Sequence, residues 1–157
     1  MKSISIQIER IEDVLEEGRA LVAAEYEEVE AGGRPFGPDY VGMMRSEAAG
    51  IFKLLTARVD GKLVGYLSWM VDFDLESYGT LIAQQCAWYV SPGHRRVAIK
   101  MFDYFTEEMI KKGVKFVYLH HSTRGRGSGL GKFFVRKGAV LTGFTYSLQI
   151  PSSRREL

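Results

Sequence analysis

The sequence predicts an α/β protein, one mixed β-sheet with helices on both faces. Three observations predict it. An isoleucine alternation near the N-terminus gives way to a helical period. Two β-like runs flank Asp60-Gly61, a strong short hairpin signal. A strand–helix–strand unit runs from Val90 to Val114, so two strands must be parallel and joined by a right-handed crossover.

The elements follow in order. Ile4, Ile6 and Ile8 alternate with polar residues, the period of a half-buried strand. From Glu12 to Glu30, Val14, Leu15, Leu21, Val22, Tyr26 and Val29 fall mostly on one helical face, and glutamates hold much of the other. Gly32-Gly33 ends that helix. Residues 34–40 form a Pro/Gly loop, and Asp39 caps a second helix reaching about Ala49. Leu54–Val59 and Leu63–Val71 make the hairpin, residues 74–79 a polar turn, and Leu81–Val90 a further strand. In Val97–Lys112 the apolar residues Ala98, Met101, Phe102, Phe105 and Met109 keep helical spacing. Gly113 stops this helix, and Lys111-Lys112 suit its negative end. Val114–His120 is another strand, Gly131–Lys137 a short helix, and Ala139–Ile150 a last strand broken near Gly143.

The chain has 157 residues, which favours a single domain over 1–157. Its one cysteine, Cys86, excludes an internal disulfide and reads as a small core residue in mid-strand. No apolar run reaches the length of a membrane span, and the N-terminus turns acidic at once, unlike a secretory signal. A cytoplasmic protein with no membrane partner is expected. Nothing has the His/Cys spacing of a metal site. The glycine run before Gly131-Lys132 is not a phosphate loop, because Phe133 stands where Ser or Thr is needed.

Charge is unevenly spread. Residues 1–94 hold 8 Lys/Arg against 15 Asp/Glu, net −7, and residues 95–157 hold 13 against 4, net +9. The second half is suited to an anion and the first to a cation, or the two halves attract each other. Arg95 and Arg96 stand just before the helix at Val97. A helix N-terminus already offers free N–H groups and a positive dipole end, so added cations there point to a phosphate-bearing ligand.

The hairpin TARVDGKLVGYLSW, the block QQCAWYVSPGHRRVAIKMFDYFTEEMIKKGVKFVYLHHS and the later FFVRKGAVLTGFTYSLQI resemble the GCN5-related N-acetyltransferases, the GNAT superfamily, and within it the bacteriophage-encoded branch. The resemblance covers about Ile4 to Ile150. It implies a GNAT-like fold in which the fourth and fifth strands are parallel and splay apart. It implies acetyl-CoA as co-substrate, its pantetheine arm against the backbone of Trp88, Tyr89 and Val90 and its pyrophosphate on Arg95, Arg96, Val97, Ala98, Ile99 and Lys100. Ala98 and Lys100 replace glycines of the family's loop, and Lys100 either obstructs the cofactor or adds a cation to it. The family's usual catalytic tyrosine aligns with Phe134, and the strand that often carries a carboxylate reads Gln84-Gln85-Cys86. In their place Glu28 is a candidate base or amine anchor, His120 a candidate base, and Ser122 or Tyr118 a candidate donor to the thiolate. His120 and His121 are expected on opposite faces of the fifth strand's end.

The expected activity is acetyl transfer to a primary amine of a small molecule or protein, with a cationic amine as acceptor; a homodimer is compatible with it. The rival reading is a non-catalytic GNAT-fold structural or regulatory protein with weak or no CoA binding. A nucleic-acid module using Arg95, Arg96, Arg124 and Arg126 is disfavoured by the low overall charge.

Overall fold

A computed structural model describes residues 3–29, 36–121 and 128–143. Its five strands follow chain order across one sheet: β1 (Ile4–Ile8), β2 (Phe52–Val59), β3 (Lys62–Phe73), β4 (Leu81–Val90) and β5 (Phe116–Tyr118). The first four pair antiparallel, and β4 pairs with β5 in parallel. The helices are α1 (Ile11–Val29), α2 (Tyr40–Ala48), α3 (Val97–Lys112) and α4 (Ser128–Arg136).

Local chemistry explains the joins. Asp60 and Gly61 take φ of 50° and 81°, so both central residues of the β2–β3 turn are left-handed, as a tight hairpin requires. Asp39 accepts from the Gly42 N–H at 2.9 Å and caps α2. The Glu47 carboxylate accepts from the Ile11 N–H at 3.2 Å, so α2 in turn supports the start of α1. Gly113, at φ 73°, closes α3 while the Val114 N–H donates back to the Met109 carbonyl.

Alternation on β3 assigns the two faces. Trp69 meets the Phe105 ring of α3 edge-on at 5.1 Å, whereas Tyr66 donates its hydroxyl to Glu25 of α1. The main core lies on the α3 face, where Leu55, Leu67, Trp69, Met101 and Phe105 are almost fully buried. Full burial of such side chains contributes roughly 1.5–3 kcal/mol each. At the α1 end of the β2–β3 hairpin, Arg58 donates to Glu9 at 3.0 Å and to Glu17, and Thr56 donates to Glu9.

Three expectations are corrected. The fifth strand spans Phe116–Tyr118 rather than Val114–His120, because its pairing with β4 ends at Gln84↔Tyr118. Cys86 is exposed rather than in the core. It is the extra residue of a β-bulge, since Ser68 pairs with Ala87 and Trp69 with Gln85. Residues 139–143 are not in a strand, and the remainder of the expected final strand lies outside the described residues.

Candidate functional site

The site begins where β4 loses its second neighbour. Ile82, Ala83 and Gln84 pair with β5, and beyond them β4 runs on to Val90 with only β3 beside it among the described residues. The Cys86 bulge falls just past the last rung of that pairing, and a bulge bends its strand and increases its twist. The two parallel strands therefore part, as the resemblance implied. Trp88, Tyr89 and Val90 lie on the unshared stretch, so backbone groups there that point away from β3 are available to a ligand.

Two groups reach across the parting. Gln85 is buried, and its Nε2 donates to the His120 carbonyl at 3.1 Å. Trp88 stacks on Phe102 of α3 at 6.0 Å and on Phe134 of α4 at 5.8 Å, with Phe133 edge-on at 5.9 Å. Phe134 is thus a buried packing residue that ties α4 to β4. His120 and His121 both follow the end of β5 and are exposed, so strand alternation does not set their directions. His121 packs on α4, where a Cβ at Gly131 would stand 2.6 Å from its Nε2. Ser122 lies outside the described residues.

At the mouth of the parting a 3-10 turn, Pro92–His94, leads through Arg95 and Arg96 into α3. Ser91 Oγ and His94 Nδ1 stand 3.0 Å apart and hold this turn. Val97 is buried and anchors the helix start, while Arg96, Ile99 and Lys100 are exposed around it and Ala98 is partly covered. Among the described residues Arg96 and Lys100 enter no ion pair. The N-terminus of α3 therefore carries two solvent-exposed cations, while the Ala98 N–H of its first turn donates to the Arg95 carbonyl at 3.2 Å. A shallow depression of about 380 Å³ lies on another side of this loop, lined by Ile4, Val59 and Pro92–Val97; it opens by β1, away from the β4–β5 parting.

Arg95 differs from its neighbours. It donates from Nη2 to both carboxylate oxygens of Glu28 at 2.7 Å, and its guanidinium lies 5.4 Å from the centre of the Tyr89 ring. Two residues assigned separate roles from sequence, one for phosphate and one for the amine, are in contact. Burial, then the Glu28 charge, pushes the Tyr89 phenol above its ordinary pKa, against the opposing pull of Arg95. One helical turn earlier Glu25 accepts from Tyr66, whose phenol burial and the same carboxylate hold far above the usual range. The Tyr66 and Tyr89 rings are 6.4 Å apart. Sequence reasoning missed Tyr66 and Glu25. The signal was a tyrosine in the hairpin strand and the acidic run AEYEEVE in the first helix, but only the tertiary contact shows that they meet.

No protein-family model matches the sequence, and no curated protein does. Solved structures match in fold. A ribosomal-protein-alanine N-acetyltransferase from Brucella melitensis biovar Abortus 2308 superposes with a TM-score of 0.73 at 19% identity, covering 95% of this chain and 100% of that one. An aminoglycoside acetyltransferase from an uncultured soil metagenomic sample gives 0.72 at 18% identity over 95% and 99% of the two chains. A predicted acetyltransferase from Clostridium acetobutylicum, solved with acetyl-CoA, gives 0.70 at 14% identity over 94% and 96%. At these identities the likeness shows the fold: a mixed five-stranded sheet with parallel β4 and β5, flanked by helices, as in GNAT acetyltransferases. Among the described residues no helix is long and apolar enough to cross a membrane, and no cluster of His, Cys, Asp or Glu could hold a metal.

Proposed function

We propose that this protein is an acetyl-CoA-dependent N-acetyltransferase acting on a primary amine. The observation that carries the reading is the parting of β4 from β5 after Gln84, with the cation-flanked start of α3 at its mouth. The Clostridium neighbour is solved with acetyl-CoA in the same fold, which supports the same co-substrate here. The residues fit it. Trp88–Val90 offer a strand edge, unpaired among the described residues, for the amides of the pantetheine arm. Arg96, Lys100 and the first-turn amides of α3 offer positive charge to the diphosphate. Lys100 is exposed beside the helix start, which supports an added cation over a plug.

In the reaction the lone pair of a neutral amine attacks the thioester carbonyl carbon. The C–S bond breaks, the thiolate leaves, and the proton lost from nitrogen is taken up by a base or by the departing sulfur. Holding the two reactants in line supplies much of the rate. Glu28, with the Glu25–Tyr66 pair beside it, makes the acceptor side acidic and suited to a cationic amine. His120, near the end of β5, is assigned as proton acceptor and Ser122 as donor to the thiolate. Phe134, buried under Trp88, has no proton to give. The resemblance to the bacteriophage-encoded branch rests on the quoted sequence blocks and adds nothing to the choice of acceptor.

A second reading, a fold kept without catalysis, is favoured by that buried Phe134 and by the pairing of Arg95 with Glu28. Thermal unfolding across an acetyl-CoA titration separates the two. A saturable rise in Tm, with thiol release when an amine is added, supports the transferase. No rise at millimolar acetyl-CoA leaves the non-catalytic protein.

A further inference from the structure

On the α1 face of β3 and β4, a protein cation fills a site suited to an organic cation. The Arg95 guanidinium is held by the Glu28 carboxylate at 2.7 Å and by the face of Tyr89 at 5.4 Å. Carboxylate plus aromatic face is the contact set with which proteins hold ammonium and guanidinium ligands. Glu25, bonded to Tyr66, adds a second carboxylate one turn away. Yet Arg95 belongs to the loop that leads into α3, only two residues before Val97. The pair is also partly open to solvent, its side chains 49% and 33% exposed. Ion pairs in that setting are weak and readily exchanged.

We propose that Arg95 is an exchange element: it occupies the acceptor's cation subsite until the CoA diphosphate draws it away, which opens Glu28 and Tyr89 to a cationic acceptor. This rests on the acetyltransferase reading above. The diphosphate carries more negative charge than one carboxylate and matches the planar guanidinium fork. Arg96 and Lys100 are exposed at the same helix start, so Arg95 joins two further cations there rather than acting alone. Binding of CoA and of acceptor is therefore positively coupled, and by linkage each tightens the other equally.

The same geometry narrows the acceptor. A nitrogen held on Glu28 as a cation keeps its proton and cannot attack a thioester. The acceptor therefore carries a second amine, one to be anchored and one to react: a diamine or polyamine.

Calorimetric titration of the full chain tests this, with 1,4-diaminobutane as probe, alone and with saturating CoA, which permits no turnover. Expected is a diamine Kd about fivefold tighter or more with CoA present, and an equal gain for CoA with the diamine present. Arg95→Ala abolishes the coupling while CoA still binds, and Glu28→Gln weakens the diamine with and without CoA. In turnover with acetyl-CoA, butylamine inhibits acetylation of the diamine without being acetylated comparably. Equal diamine affinity with and without CoA, no diamine binding at all, or coupling that survives Arg95→Ala overturns the exchange while the transferase stands. Comparable acetylation of butylamine overturns the two-amine requirement. Failure of CoA itself to bind removes the transferase reading and the exchange with it.

Discussion

The Nε2 of buried Gln85 donates to the carbonyl of His120 across the gap where β4 and β5 part. This bond ties the segment after β5 to the strand it has just left. Among the described residues the other side-chain atom, Oε1, has no partner. Gln85→Leu removes one hydrogen bond and one unsatisfied acceptor together, so the net change in stability should stay within about 1 kcal/mol. Amide exchange across 119–121 should speed up nonetheless. Unchanged exchange there would mean that the bond does not hold the segment.

Arg96 and Lys100 flank the start of α3 without ion-pair partners among the described residues, whereas Arg95 is engaged by Glu28. Arg96→Ala or Lys100→Ala should weaken acetyl-CoA binding by roughly tenfold, the scale of a charge-assisted contact. Stability should move by less than about 0.5 kcal/mol, as for exposed surface substitutions. Calorimetry and thermal unfolding read the two effects. Full affinity in the double variant would place the diphosphate elsewhere.

Phe134 packs its ring on Trp88 and links α4 to β4 and α3. Phe134→Ala should cost about 3–5 kcal/mol by opening a cavity in that stack. Chemical denaturation measures it. A loss below about 1 kcal/mol would show that α4 is not anchored there.

Acid stability should depend on Glu9. Its burial opposes ionisation, but hydrogen bonds from Arg58 and Thr56 outweigh this and hold its carboxyl below the usual range. A carboxyl lowered in the folded state contributes stability above its unfolded pKa. That contribution is lost as pH falls through the folded value. At pH 7, Glu9→Gln should be less stable by about 2 kcal/mol. The gap to the parent protein should shrink below about pH 4.5, the ordinary glutamate value. Denaturant unfolding from pH 7 to pH 3 checks it; a gap that widens on acidification would reverse the sign.

Much of the fold was legible because its signals are local. Alternation exposed β1, Asp60-Gly61 fixed the hairpin turn, and Gly113 fixed the end of α3. The crossover from Val90 forced β4 and β5 to be parallel. The length of β5 was not legible. Val114–His120 is apolar enough for a strand, but its pairing stops with β4's last rung before the bulge at Cys86, a tertiary event. The candidate site divides in the same way. The cations before α3 could be read as a phosphate signal from the helix start alone. That Arg95 turns to Glu28, and that Tyr66 meets Glu25, depends on contacts 67 and 41 residues apart in sequence, which no local pattern encodes.

Hydrogen exchange with and without saturating acetyl-CoA tests the central claim most directly. Slowed exchange at the amides of Trp88–Val90 and at the start of α3, Val97–Lys100, is the expected result. Binding that protects neither segment, or that protects only the depression beside β1, would contradict it.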